Sequence, residues 1–149
     1  MYRIVSFIII FSFVSVMLYF HQQNSHINAS NLHETHHQTT IEIPSRYPKP
    51  TITGSITQDP TGSWLLKIET TNFNFTPEEV GSTDTSYNEG HAHLYINGKK
   101  INRVYGKYYN IESLKSGTHH IKVTLNTNNH HTLSYSGKEI SFEKKVIVS

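Results

Sequence analysis

Residues 90–100 read Gly-His-Ala-His-Leu-Tyr-Ile-Asn-Gly-Lys-Lys, which predicts a β-strand that ends in a tight turn. Successive side chains of a strand point to opposite faces of the sheet. One face therefore carries the apolar side chains of Ala92, Leu94 and Ile96, and the other carries those of His91, His93 and Tyr95. Asn97-Gly98 is a strong hairpin signal, because both turn residues must adopt a positive φ.

Alternating apolar and polar residues predict further strands on both sides of this segment. These strands cover residues 51–58, 64–70, 99–105, 108–114, 119–126 and 139–148. The return strand after the hairpin is predicted to bury Ile101 and Val104. About seven short strands in roughly 100 residues are typical of an antiparallel β-sandwich. The predicted fold is therefore all-β, immunoglobulin-like or cupredoxin-like, and it follows an N-terminal hydrophobic helix.

The composition excludes several classes of function. The chain has 149 residues, a formal net charge of +2 and no cysteine. The weak charge and the lack of a Lys/Arg stripe argue against a nucleic-acid partner. Without cysteine, the chain has no disulfide, thiolate metal site or lipid-anchored Cys. Its 11 histidines equal its 11 acidic residues in number, and this points to metal chemistry because histidine is the commonest metal ligand.

Residues 1–20 predict a signal peptide or a signal anchor. Arg3 precedes an uncharged apolar run over residues 4–20, which is short for a membrane span and long for a signal peptide. No good cleavage motif follows directly, so both alternatives stay open. Arg3 favours a cytoplasmic N-terminus. The rest of the chain is then extracytoplasmic, in the periplasm or at the cell surface, and either membrane-anchored or secreted.

Residues 21–50 predict a flexible polar linker, and residues 51–149 predict the β-sandwich domain. The linker shows neither a helix nor a strand period, and prolines accumulate at its end. Its histidines are interpreted as linker composition rather than as a weak metal-binding tract, and they include His33, His36 and His37.

Several motifs together resemble a bacterial family of exported, largely uncharacterised small β-domains. The motifs are Asn-Phe-Asn-Phe-Thr-Pro-Glu at 72–78, Gly-His-Ala-His-Leu-Tyr-Ile-Asn-Gly at 90–98 and Arg-Val-Tyr-Gly at 103–106. Gly-Thr-His at 117–119, Thr-Leu-Asn-Thr-Asn at 124–128 and His130 extend the same pattern. The resemblance covers most of residues 51–149. It implies a secreted or periplasmic β-sandwich, and it implies no particular reaction.

The Phe-x-Phe-x-Pro-Glu part of this pattern also looks like the second-strand segment of cupredoxins. A blue-copper site needs a cysteine ligand and usually a methionine. The chain has no cysteine, and both of its methionines, Met1 and Met17, lie in the leader. An electron-transferring blue-copper centre is therefore excluded.

His91 and His93 form half of a candidate metal site. Two residues of strand rise separate them by about 6.6 Å, so both rings can reach one ion. His130, in the loop after the 119–126 strand, and His119, at the start of that strand, are the candidates for a third ligand. Glu89 and Asp84 are possible oxygen ligands. Such ligands suit copper or zinc, with copper ahead in the usual order of affinity, and no other cofactor is expected.

These features predict an exported, membrane-tethered binding module with a histidine-based copper or zinc site. The alternative is a metal-free structural domain of the cell envelope that binds a protein or a glycan. In that alternative a tyrosine-rich groove would supply the contacts, from Tyr87, Tyr95, Tyr105, Tyr108, Tyr109 and Tyr135. No catalytic motif is recognisable, so the chain is not expected to be an enzyme.

Overall fold

The structure is a computed structural model that describes residues 2–30 and 39–148, with the backbone alone for 21–30. The chain divides into two compact units, Met1–His37 and Gln38–Ser149. The histidines at 33, 36 and 37 lie outside the described residues. The second unit begins at residue 38, whereas the sequence places the start of the β domain at residue 51.

The first unit contains one helix, α1 (Tyr2–Ser30). Its part Tyr2–Phe20 is long and apolar enough to cross a membrane, by length and composition. It agrees with the predicted N-terminal hydrophobic helix. The structure differs over residues 21–30, where it continues the helix into the predicted linker. Those ten residues contain no proline or glycine, the two residue types that most strongly disfavour a helix.

The second unit is mostly β. Its strands are β1 (Thr40–Glu42), β2 (Thr51–Gln58), β3 (Ser63–Thr71), β4 (Asn74–Phe75), β5 (Glu89–Ile96), β6 (Lys99–Val104), β7 (Tyr108–Ser113), β8 (Gly117–Asn126), β9 (Thr132–Tyr135), β10 (Lys138–Glu139) and β11 (Ser141–Val148). A short 3-10 turn lies at Pro77–Glu79. The predicted strands are all present, and the last of them is divided at Ile140 into β10 and β11.

The strands form two sheets. The larger sheet has the order β1-β9-β8-β5-β4, with β10 beside β9, β11 beside β8 and β6 beside β5. The smaller sheet has the order β2-β3-β7. Pairing is antiparallel except between β1 and β9 and between β4 and β5. The predicted all-β unit after an N-terminal helix is confirmed at this level.

The apolar face of β5 lies in the core, as its alternation predicts. Ala92 pairs with Leu125 of β8, and Leu94 pairs with Val123. All four side chains are fully buried. Buried residues of the smaller sheet belong to the same core cluster, and they include Trp64, Leu66 and Ile68. Each sheet therefore contributes one apolar face to a shared core.

The hairpin between β5 and β6 forms at the predicted place. Asn97 has a φ of 53° and Gly98 a φ of 79°, the positive values that a two-residue hairpin turn requires. The prediction for the return strand is half right, because Val104 is buried and Ile101 is 45% exposed. The register shifts between Leu94 and Tyr95, which pair with Asn102 and Lys100. Ile101 is the extra residue of this bulge, and it therefore leaves the buried face.

Candidate metal centre

β5 presents His91 and His93 on the face opposite its core side chains. They pair with Asn126 and Thr124 of β8. Although this face is polar, each of the two histidines is only 1% exposed. A buried imidazole needs a hydrogen-bond partner or a metal ion for its ring nitrogens. Burial of two such rings side by side on one strand therefore marks this face as more than a solvated surface.

The residues of β8 beside the histidines form a buried polar chain. The hydroxyl of Thr124 donates to Oδ1 of Asn126 at 2.7 Å, and Nδ2 of Asn126 donates to the hydroxyl of Thr132 at 3.0 Å. All three residues are buried. Satisfied polar groups of this kind are compatible with burial and fix side-chain orientation. They hold the ends of β8 and β9 in place next to His91.

The loop between β8 and β9 brings His130 to the same place. The amide of His130 donates to the carbonyl of Thr127 at 2.9 Å, and the amide of Thr127 donates to the carbonyl of His131 at 2.9 Å. His130 has a φ of 71°, a left-handed conformation that non-glycine residues adopt infrequently. Its side chain is exposed, unlike those of the two strand histidines. His130 therefore lies at the outer side of the cluster.

Two asparagines anchor this loop to the segment that precedes β5. Nδ2 of Asn128 donates to the hydroxyl of Thr76 at 3.0 Å, in a buried contact. Nδ2 of Asn129 donates to the hydroxyl of Thr85 at 2.7 Å. These bonds join chain segments that are 52 and 44 residues apart. They restrict the loop and hence the position of His130.

The three histidines converge. One ligand nitrogen from each of His91, His93 and His130 lies within 4.8 Å of the other two. The ring centres of His91 and His93 are 4.7 Å apart, and that of His130 lies 5.1 Å from His91 and 6.2 Å from His93. Among the described residues, this is the group of histidine and acidic side chains that could hold a metal ion. We call it the histidine cluster.

Hydrogen bonding in the cluster fixes the protons of His93. Nε2 of His93 lies 2.8 Å from Nε2 of His91 and 3.0 Å from Nζ of Lys100. A lysine ammonium only donates, so Nε2 of His93 is an acceptor, and the proton of its contact with His91 comes from Nε2 of His91. The two donors share the one lone pair of His93 at Nε2. The proton of His93 is then on Nδ1, which faces the hydroxyl of Tyr95 at 3.4 Å.

Both strand histidines are held neutral. Burial, followed by the repulsion of His130, Arg103 and Lys100, lowers the pKa of His91 to about 3. Burial and the adjacent Lys100 are the main causes that lower the pKa of His93 to about 2. Neutral imidazole is the form that binds metals. The two histidines are therefore in the ligating protonation state at every physiological pH.

The structure does not bring the fourth predicted ligand to this cluster. His119 lies near the start of β8, whereas His91 pairs with Asn126 at the other end of that strand. His119 shares the face of Ile121, which is the core face, and not that of His91. Its Nε2 lies 2.7 Å from the carbonyl of Lys115 and its Nδ1 lies 3.2 Å from Nδ2 of Asn97.

The predicted oxygen ligands are also not members of the cluster. Glu89 and Asp84 are both exposed, and among the described residues the cluster contains three histidines and no carboxylate. Sequence reasoning missed Lys100, which contacts His93, and Tyr105, whose ring centre lies 5.4 Å from that of His91. The available signal was the hairpin itself, since a return strand must pass beside His93.

Comparison of the chain with family models, with curated proteins and with solved structures found no match.

Proposed function

We propose that this protein is an exported, membrane-tethered binding module of β-sandwich architecture whose histidine cluster holds a copper or zinc ion. One observation carries the proposal, namely the convergence of nitrogens from His91, His93 and His130 within 4.8 Å. Two of these rings are buried and neutral, so their nitrogens require hydrogen-bond partners or an ion. One ion at about 2 Å from each nitrogen would be held by all three rings.

The chemistry of the donors supports copper or zinc. Neutral imidazole nitrogens suit both ions, and copper precedes zinc in the usual order of affinity. Two nitrogens at about 2 Å from one ion and at a right angle to each other are about 2.8 Å apart. The distance between the Nε2 atoms of His91 and His93 is 2.8 Å. This distance is that of the hydrogen bond between the two rings, and it also lets both nitrogens reach one ion.

The exposed position of His130 supports reversible binding. His91 and His93 are 1% exposed, so an ion reaches them past the outer histidine. A site of three protein ligands leaves a coordination position for a further small ligand. We assign the site to binding and not to catalysis, because the sequence shows no catalytic motif.

The N-terminal helix supports the proposed tether and location. Tyr2–Phe20 has the length and composition of a membrane span near the N-terminus. Together with Arg3 and the resemblance to exported β-domains, this favours an extracytoplasmic β unit attached to the membrane or released from it. A metal ion is the proposed ligand, and an envelope protein or glycan would be the partner if the site takes no metal.

The test is metal titration of the full-length protein in detergent. Calorimetry with Zn(II) and electron spin resonance with Cu(II) should show one ion per chain, with nitrogen coordination for copper. The His91→Ala/His93→Ala double variant should lose this binding. His120→Ala is the matched control, because His120 is an exposed histidine of the same sheet that contacts Glu143 and not the cluster. Equal binding by wild type and double variant would exclude the site, and lack of binding by the wild type would favour the metal-free interaction domain.

A further inference from the structure

Lys100 contacts a ligand nitrogen of the histidine cluster. Nζ of Lys100 lies 3.0 Å from Nε2 of His93, on the return strand of the hairpin. The same Nε2 lies 2.8 Å from Nε2 of His91. An imidazole nitrogen has a single lone pair in the plane of its ring. The ammonium of Lys100 and a metal ion therefore cannot both use the lone pair of His93 at Nε2.

Binding of an ion at this nitrogen requires two exchanges. The ammonium of Lys100 must leave the lone pair of His93 and return to water, which is feasible because Lys100 is an exposed residue of β6. The proton on Nε2 of His91 must move to Nδ1 of the same ring, with solvent as the carrier, before the neutral ring can ligate through Nε2. Both exchanges oppose metal binding, and the first depends on the charge of residue 100.

We propose that Lys100 sets the affinity and the charge selectivity of the histidine cluster by occupying the cation position next to His93. The inference rests on the metal-binding function proposed above. Lys100 acts on the ion through His93 and through its own charge, so it is a specificity residue and not a ligand. It lowers the affinity for every cation, and it lowers the affinity for divalent ions more than for monovalent ions.

Charge selectivity follows from the surroundings of the cluster. Arg103 pairs with His93 across β5 and β6, and its charge adds to that of Lys100 at both strand histidines. The cluster itself contains the neutral rings of His91 and His93 and, among the described residues, no carboxylate. Coulomb repulsion is proportional to the charge of the ion, so a lysine charge disfavours a divalent ion twice as strongly as a monovalent one at the same position.

The experiment compares Zn(II) with Ag(I), a monovalent ion that needs no control of oxidation state. Full-length wild type, Lys100→Met and Lys100→Gln are titrated with each ion in detergent. Lys99→Met is the matched control, because Lys99 is the neighbouring exposed lysine of β6 and pairs with Ile96, whereas Lys100 pairs with Tyr95 on the face of His93. We expect both Lys100 variants to bind Zn(II) at least about tenfold more tightly than wild type, with a smaller gain for Ag(I), and Lys99→Met to match wild type.

A second measurement needs no metal. Nitrogen chemical shifts of the histidine rings report which ring nitrogen carries the proton. We expect His93 in the wild type to be protonated on Nδ1, with Nε2 as the acceptor of Lys100, and we expect this preference to weaken in Lys100→Gln. A wild-type His93 protonated on Nε2 would overturn the inference. This result does not depend on whether any variant folds.

The outcomes separate this inference from the proposed function. Tighter Zn(II) binding by the Lys100 variants, with the smaller gain for Ag(I), supports both. If the wild type binds Zn(II) and the Lys100 variants bind it equally or more weakly, the role of Lys100 is overturned and the metal site stands. An equal gain in affinity for Zn(II) and Ag(I) has the same meaning. Absence of Zn(II) and Ag(I) binding by wild type and by all variants overturns both.

Discussion

Gly90 approaches the backbone carbonyl of Asn126 so closely that a side chain at residue 90 would collide with that oxygen. Gly90 also has a φ of 151°, a value that residues with a Cβ rarely adopt. The contact places β5 against the end of β8, directly before His91. The position of the histidine cluster therefore depends on a residue with no side chain.

Replacement of Gly90 should be costly. We expect Gly90→Ala to lower the free energy of unfolding by roughly 2–4 kcal/mol, because backbone strain and a steric clash with fixed backbone act together. Urea denaturation followed by tryptophan fluorescence measures this change, since Trp64 is buried. Gly106→Ala is the control, because nothing lies within 4 Å of a Cβ at that residue. A similar loss in both variants would contradict the steric explanation.

The metal-free protein should lose stability in mild acid. The pKa values of His91 and His93 are lowered to about 3 and about 2 in the folded chain, whereas an unfolded histidine titrates near pH 6.5. Above that pH both states are neutral and the histidines contribute no pH dependence. Below it the two histidines bind protons in the unfolded chain but not in the folded chain. The free energy of unfolding should therefore fall by up to about 1.4 kcal/mol per pH unit for each histidine.

Denaturation at several pH values between 4 and 8, with a chelator present, tests this slope. The His91→Gln/His93→Gln double variant should have a much shallower dependence, and His120→Ala should keep that of the wild type. An identical slope in the double variant would show that other groups cause the acid sensitivity.

Asn128 should position His130 through Thr76. The side chains of Asn128 and Thr76 share a buried hydrogen bond of 3.0 Å. Removal of either partner should lower the free energy of unfolding by about 1–3 kcal/mol and weaken Zn(II) binding. Asn128→Ala, Thr76→Ala and the double variant form a thermodynamic cycle. If the contact acts as a pair, the double variant should lose clearly less than the sum of the two single losses. Strict additivity would disprove the coupling.

The turn between β5 and β6 should accept only residues that tolerate a positive φ. Asn97 has a φ of 53° and its Oδ1 accepts the amide of His120 at 2.8 Å. We expect Asn97→Ala to cost about 1–2 kcal/mol in thermal or urea unfolding, because alanine is strained in the left-handed region. Asn97→Gly relieves that strain and should cost less than Asn97→Ala. Equal costs for the two variants would show that loss of the side-chain bond, which both variants share, dominates over backbone strain.

The fold was predictable where short-range patterns are strong. Asn97-Gly98 and the alternation around Leu94 specify a hairpin and a core face from a few neighbouring residues. Ile101 was misplaced because a bulge adds one residue to β6, and a bulge depends on the packing of both strands. The pairing of β1 with β9 was also missed, because a strand of three residues has no detectable period.

The site was predictable in part for a similar reason. The strand period places His91 and His93 on one face, and His130 is near in the loop that follows the paired strand. His119 was an equally good candidate by spacing, since only the strand register shows that it lies at the other end of β8. The hairpin register pairs Lys100 with Tyr95, on the face of His93. Lys100 was not considered because its contact with His93 is a diagonal one between side chains and not a register pair.

The pairing of β1 with β9 has a practical consequence for the β unit. Glu42 accepts a hydrogen bond of 2.6 Å from the hydroxyl of Ser134, and Ile43 is buried in the core. A fragment that starts at residue 51 would lack these contacts and would leave β9 as an open sheet edge. Open edges recruit strands from other molecules and promote aggregation. A soluble form of the domain should therefore start before Thr39, so that β9 remains covered.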